Sequence, residues 1–373
     1  MTSLFDPLQL GSVQLSNRIV MAPLTRNRAS EGRVPNDLMR RYYCQRATAG
    51  LILSEGTSIS PQGVGYPSTP GIWSSAQVDG WKKITQAVHD KGGKIFLQLW
   101  HVGRVSDPEY LNGGIPVAPS AIACEGHVSL LRPKRPYVVP RALHTEEIAG
   151  IVADFAEGAR NAREAGFDGV EVHAANGYLI DQFLQDGSNK RTDEYGGRVE
   201  NRARLLLEIV DACIGIWGAG RVGVHLSPRG DAHAVSDSDP RLLFSYVARA
   251  LGERRIAFIF TRESLGKDSL TAEIRRLFGG PVIVNEKYDI QEALDAVASA
   301  RADAVAFGRA FIANPDLVTR LRTGAPLNEW DVATFYTAGP QGYVDYPVLN
   351  AGAAAMGECP AGAKISQRQA WAC

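Results

Sequence analysis

The chain has 373 residues, 45% hydrophobic and 21% charged, an ordinary globular composition. Forty Lys plus Arg balance forty Asp plus Glu, and without a basic face or run a nucleic-acid-binding role is set aside. No stretch nears the roughly 18 continuous apolar residues of a membrane span, and Met1–Pro7 lacks a basic-then-apolar leader pattern.

Taken in chain order, residues 4–15 are expected to form a hairpin across the floor of whatever follows. Short apolar runs then alternate with longer segments of helical period, the signature of parallel βα units. Strands are predicted at residues 18–23, 51–55, 94–99, 168–173, 221–226, 256–260, 281–284 and 303–307. Helices are predicted at 77–91, 146–164, 202–217, 241–251 and 291–300. The second of these carries Ile148, Ile151, Val152, Phe155, Ala159 and Ala162 at spacings of three and four, one apolar face. Eight strand–helix units favour an α/β protein of the (β/α)8 TIM-barrel class over an open doubly wound sheet. Residues 101–143, rich in Pro and Gly, are too long for an ordinary βα loop and are read as a capping insertion after the third strand. The domain is expected to span 1–347, with an Ala- and Gly-rich, loosely ordered tail over 348–373.

Five cysteines (Cys44, Cys124, Cys213, Cys359 and Cys373) are scattered with no C-x-x-C pair, which argues against a disulfide framework or a zinc site and leads us to expect a cytoplasmic location. Four histidines (His101, His173, His225 and His233) have no metal-ligand spacing, so no metal is assigned. The run Gly218-Ala219-Gly220-Arg221-Val222-Gly223 matches the dinucleotide-binding pattern, but it follows a helix and precedes a strand, the reverse of what that turn requires. It is read as an αβ loop.

In a barrel the chemistry sits at the carboxyl ends of the strands. Five predicted strands end in hydrogen-bonding side chains: Pro23-Leu24-Thr25-Arg26, Ser54-Glu55-Gly56-Thr57, Gln98-Leu99-Trp100-His101, His173-Ala174-Ala175-Asn176-Gly177-Tyr178 and His225-Leu226-Ser227. His173 and Asn176 could aim two neutral donors at one carbonyl oxygen, stabilising charge that develops there. Tyr178, protonated at neutral pH, could give up a proton. After the eighth strand, Gly308 and Arg309 and the amides of a helix beginning near Asn314-Pro315 suit a phosphate, with Glu286 and Lys287 after the seventh strand forming the other half of the cradle.

With these blocks in order, the sequence resembles the old yellow enzymes, in their bacterial ene-reductase branch. The likeness runs from Leu4-Phe5-Asp6-Pro7 to Asp345-Tyr346-Pro347 and includes residues 17–26, Pro70-Gly71-Ile72-Trp73, Gln98–Arg104, His173–Leu179, Arg191–Gly197 and Phe307-Gly308-Arg309. It implies a barrel that holds FMN without a covalent bond, takes hydride from NADPH or NADH, and reduces an electron-poor alkene such as an enone, enal, maleimide or nitroalkene. By the same resemblance Pro23, Leu24, Thr25 and Gly56 line the flavin ring, Gln98 and the residue at 225 face its pyrimidine portion, and Glu286, Lys287, Gly308 and Arg309 hold the phosphate. His173 and Asn176 bind the substrate's activating oxygen, Tyr178 protonates the α-carbon, and Tyr66, Trp100 and Tyr336 shape the pocket. Either a monomer or a homodimer is compatible.

Two departures stand out. Relatives carry Arg where this chain has His225, a shorter side chain that ordinarily titrates near neutrality, so a more pH-sensitive flavin potential or affinity is expected. Glu286-Lys287 replaces a Gly-rich pair. Other readings of the same sequence are a reductase of nitro compounds or nitrate esters, and a catalytically weak flavin-binding redox sensor.

Overall fold

The structure, a computed structural model, describes residues 2–349. The expectation for the tail falls mainly on residues 350–373, which lie outside that range. Eight parallel strands form the central sheet: β1 (Ile19–Met21), β2 (Leu51–Leu53), β3 (Ile95–Trp100), β4 (Gly169–Ala174), β5 (Val222–Leu226), β6 (Phe258–Arg262), β7 (Val282–Asn285) and β8 (Ala304–Phe307). Each pairs with the next, and Val305, Ala306 and Phe307 of β8 pair with Ile19, Val20 and Met21 of β1, closing the sheet into a barrel. The strand residues are almost all buried, as expected for strands covered on both faces.

One main helix packs outside after each strand: α1 (Asp37–Gln45), α2 (Ser75–His89), α3 (Thr145–Glu164), α4 (Arg204–Trp217), α5 (Pro240–Glu253), α6 (Thr271–Phe278), α7 (Ile290–Ala298) and α8 (Leu317–Thr323). Their starts are written locally. In α2 the Ser74 hydroxyl accepts from the Gln77 amide while the Gln77 side chain accepts from the Ser74 amide, a capping box, and Asp289 with Glu292 repeats it at α7. The face of α3 read from the sequence is the one it buries, through Ile148, Ile151, Phe155, Ala159 and Ala162, with Val152 only partly covered. Each large apolar side chain buried this way contributes about 1.5–3 kcal/mol.

The floor of the barrel is sealed by an antiparallel hairpin, Leu8–Leu10 with Val13–Leu15. Leu8, Leu10, Val13 and Leu15 point into the barrel and form one apolar cluster with Val20, Leu51, Leu53, Phe96, Phe258, Phe260 and Ile283. The turn residue Gly11 has φ +56°, and a Cβ there would lie 2.3 Å from the Gly220 carbonyl oxygen, so only glycine fits. Gly218–Arg221 is the expected αβ loop, running into β5 at Val222, and the Gly220 carbonyl accepts from the Ser12 amide at 2.8 Å.

At the opposite end the 101–143 insertion folds over one side of the mouth, tied by a short parallel pairing of Val117–Ala118 with Arg141–Ala142. Cys124, Val128, Leu131 and Tyr137 pack on Tyr66, Trp100, Val102 and Tyr178, so the insertion walls the strand ends as expected of a cap. The segment after α8 returns to the mouth, where two buried arginines grip its backbone. Arg26 donates to the Phe335 and Gly342 carbonyls at 3.1 and 2.8 Å, and Arg28 donates to those of Phe335 and Thr334 at 2.8 and 2.9 Å. Among the described residues no helix is long and apolar enough to cross a membrane, and no group of three His, Cys, Asp or Glu could hold a metal ion.

Candidate active site

Pro23, Thr25, Gly56, Gln98, Trp100, His173, Asn176, Tyr178 and His225 line one pocket at the strand ends, with about 350 Å³ of atom-free space including its open mouth. All nine were singled out in the sequence. A wider surface groove, lined by Arg33, Trp73, Tyr110 and Ile115 among others, shares none of these residues.

Parallel register sets the geometry. His173 of β4 and His225 of β5 are paired in the ladder, so their imidazoles stack face to face with centroids 5.1 Å apart. Both are buried. Burial first, and then the Arg262 and His233 charges, push the His173 imidazolium down to about 3, so the ring is neutral at working pH. Its Nδ1 accepts from the Ala175 amide at 3.3 Å, which assigns the proton to Nε2, a donor for the pocket. The Asn176 amide N–H donates to the Ser227 hydroxyl at 2.8 Å, and its carbonyl faces His233 Nδ1 at 2.7 Å. This holds a backbone at φ +57°, in the left-handed region that Asn tolerates.

Tyr178 is buried and its hydroxyl lies 2.8 Å from that of Tyr66. Burial raises its pKa, so the phenol remains protonated throughout the physiological range. Trp100 meets Tyr178 edge to face at 5.0 Å and stacks on Tyr66 at 5.3 Å, fixing both rings.

At the back of the pocket Gln98 Nε2 donates to the Glu171 carboxyl oxygen Oε2 at 2.8 Å and sits 3.2 Å from His225 Nδ1. Burial pushes the Glu171 carboxyl up to about 8 and His225 well below its usual value, the latter aided by the His173 and Arg262 charges. Glu171 and His225 are 3.9 Å apart, and desolvation of both outweighs their attraction, leaving each uncharged at neutral pH. The expected titration of His225 near neutrality is therefore moved out of that range: the ring supplies a polar edge and not a switchable charge. His225 Nε2 and Glu171 Oε1 are buried without a partner in the protein. Such atoms are costly unless satisfied; His225 lines the pocket, where a heterocycle with hydrogen-bonding edges would complete its Nε2, and Glu171 touches that lining through Gln98. The donor and acceptor set fits a flavin.

The other expected residues fall around this pocket. A Cβ added to Gly308 would stand 3.2 Å from Leu24 Cδ2, so these two meet at the β1–β8 seam. The helix expected near Asn314-Pro315 is α8, which starts at Leu317, and a further short helix, Arg309–Ala313, follows Gly308 directly at the end of β8. Glu286 and Lys287 occupy the loop after β7 at φ +88° and +60°, a left-handed backbone that favours glycine. The Glu286 carboxylate pairs with Arg262 Nε at 3.0 Å, whereas Lys287 is exposed. Tyr336 is half exposed on the segment that Arg26 and Arg28 grip, near enough to Tyr178 to help raise that group's pKa.

Three site residues escaped the sequence reading. Glu171 looked like an interior strand position. His233 lies in a loop with no period. Arg262 was lost because the sixth strand was read as ending at Phe260; extended by two residues, the strand-end rule would have found it.

Comparison with known proteins is consistent with this site. The model of the NADH:flavin oxidoreductase / NADH oxidase family matches residues 3–328. A probable flavin mononucleotide-dependent alkene reductase of Leishmania infantum is 47% identical, over 93% of this chain and 97% of that protein. 12-Oxophytodienoate reductase 1 of Oryza sativa subsp. japonica is 46% identical, over 93% of each. Among solved structures, an old yellow enzyme homologue from Zymomonas mobilis superposes with a TM-score of 0.91 at 48% identity, covering 93% of this chain and all of that one. Morphinone reductase in complex with tetrahydroNAD gives 0.91 at 49%, covering 94% and 99%. With a family model spanning most of its length and relatives near half identity throughout, the chain belongs to the NADH:flavin oxidoreductase family, the old yellow enzymes.

Proposed function

We propose that the protein is an NAD(P)H-dependent ene-reductase for alkenes activated by a carbonyl or nitro group, with His173, Asn176 and Tyr178 as the groups that meet the substrate. The enzyme is a flavin oxidoreductase of the old yellow enzyme type, and its cofactor is FMN. Bound FMN supplies two-electron hydride chemistry, which no side chain can provide. Pro23, Thr25, Gly56, Gln98 and His225 would hold the ring, and Gly308, Arg309 and the loop of Glu286 and Lys287 the phosphate end.

The protein's part is orientation and electrostatics. The neutral His173 Nε2–H and the Asn176 amide donate to the activating oxygen, and both donors are fixed before substrate arrives, so they need little reorganisation as negative charge grows there. The β-carbon thereby becomes the electrophilic end. The hydroxyl of Tyr178 releases its proton to the α-carbon; the Tyr66 hydroxyl at 2.8 Å then solvates the oxygen left behind. The cap and Trp100 keep bulk water from competing for that carbon.

One observation supports this reading most: an imidazole, an amide and a phenol line the same small pocket, each held by neighbours that leave a donor for the ligand. Binding a flavin as a redox sensor would not require that set. In the test, purified protein is reduced anaerobically with NADPH or NADH and then mixed with cyclohexenone, N-ethylmaleimide or a nitroalkene. Bleaching followed by return of the yellow colour, with stoichiometric saturated product, is the expected result. Bleaching with no recovery on any acceptor would reject it.

A further inference from the structure

The Asn176 side chain poses a problem that its own backbone does not solve. The main chain is clamped on both sides, by Ser227 and His233, yet the amide can turn by half a revolution and exchange its oxygen for its NH2. Only one orientation presents donors to an electron-rich oxygen. The structure contains one group that distinguishes them. Arg262, at the carboxyl end of β6, donates from Nη1 to Asn176 Oδ1 at 2.8 Å. A guanidinium has five N–H donors and no acceptor, so a turned amide would set NH2 against NH2 and lose the bond. Arg262 is itself held from the other side by Glu286, Nε to Oε2 at 3.0 Å.

We propose that Arg262 is a positioning residue: it locks the Asn176 amide with its oxygen away from the pocket and its NH2 toward the substrate, and Glu286 anchors the guanidinium in turn. The inference rests on the reading of Asn176 as a carbonyl-binding group. A second consequence of the same geometry is polarisation. A cation on the amide oxygen makes the NH2 a stronger donor, so the effect grows as charge develops on the substrate oxygen.

The test is a double-variant cycle on the FMN-loaded enzyme. Arg262→Met, which removes the donors while retaining much of the volume, is compared with Asn176→Ala and with the double variant. The readouts are the dissociation constant of cyclohexanone, a ketone without the alkene, followed through the flavin absorbance, and kcat and KM for cyclohexenone. Arg262→Met is expected to weaken ketone binding about tenfold, the size of one hydrogen bond involving a charged group, and to lower kcat as well. In the Asn176→Ala background the same change should cost less than about twofold, because the group it orients is gone. Arg262→Lys, with one donor for Oδ1, should recover part of the loss. An undiminished tenfold loss on top of Asn176→Ala overturns the positioning role and leaves the carbonyl reading intact. If Asn176→Ala alone leaves ketone binding unchanged, the carbonyl reading fails and the positioning role with it. Should Arg262→Met not retain FMN, Glu286→Gln carries the same cycle by loosening the guanidinium from behind, with a smaller loss that must likewise vanish in the Asn176→Ala background.

Discussion

Removing one oxygen atom, in Tyr178→Phe, separates the two halves of the proposed reaction. The ring stays where Trp100 and His173 hold it, with centroids at 5.0 and 5.1 Å, so the pocket keeps its shape and only the proton is lost. A missing general acid slows its step by about 10² or more, equivalent to about 2.7 kcal/mol of barrier. Tyr66 also loses its 2.8 Å partner and keeps longer contacts such as that to His233 Nε2 at 3.5 Å, which should lower folding stability by about 1–2 kcal/mol. Stopped-flow absorbance gives both halves: bleaching by NADPH should change by less than about twofold, while colour recovery with cyclohexenone falls by about 10² or more. Because burial raises the Tyr178 pKa, its proton is present at every pH below its ordinary value near 10, and the recovery rate of the unaltered enzyme should show no loss from this group up to pH ~9. Tyr66→Phe, which keeps the donor, should recover colour within about tenfold of normal. Equal losses in both halves for Tyr178→Phe, or none in either, would refute the assignment.

Three further outcomes follow from the same geometry. Glu171, raised by burial to about 8 from 4.5, binds a proton in the native state that the unfolded chain releases, so it makes stability fall as pH rises through that interval, by at most about 1.4 kcal/mol per unit; Glu171→Gln should flatten the urea midpoint between pH 5 and 8, and an unchanged slope would sink the argument. Lys287 is exposed at φ +60°, so Lys287→Gly should stabilise by about 0.5–1 kcal/mol through relief of left-handed strain; a lowered thermal midpoint would show that the side chain has a role the backbone does not reveal. At Gly223 a Cβ would lie 2.2 Å from the Phe258 ring in the barrel interior, and Gly223→Ala should cost about 1–3 kcal/mol in denaturant unfolding, partly restored by Phe258→Leu.

The barrel was legible because its two periods are strong and local. Each of the eight strands lies within two or three residues of its expected place, and the α3 face is the one its spacing dictates. The pocket lining was legible because strand ends converge in this fold: once the strands are placed, Gln98, His173 and His225 must share a mouth. What escaped depends on contacts between distant segments. Arg26 and Arg28 are buried against carbonyls some 300 positions away, a match with no local pattern. The state of His225 depends on burial and on the Arg262 charge, neither of which is written near residue 225. Arg262 itself follows the apolar run that defines its strand, and the boundary is where periodic reasoning is weakest.

The hairpin at the floor has a consequence for traffic. With Leu8, Leu10, Val13 and Leu15 plugging the far end, no ligand can be threaded through the tube, and whatever reaches the strand tips must enter and depart by a single doorway. Under the proposed function, nucleotide and alkene both approach the flavin from that side, and neither can leave by the far end. A seal made of four aliphatic side chains, remote from the strand tips, thus leaves the opposite end of the barrel as the way in and out.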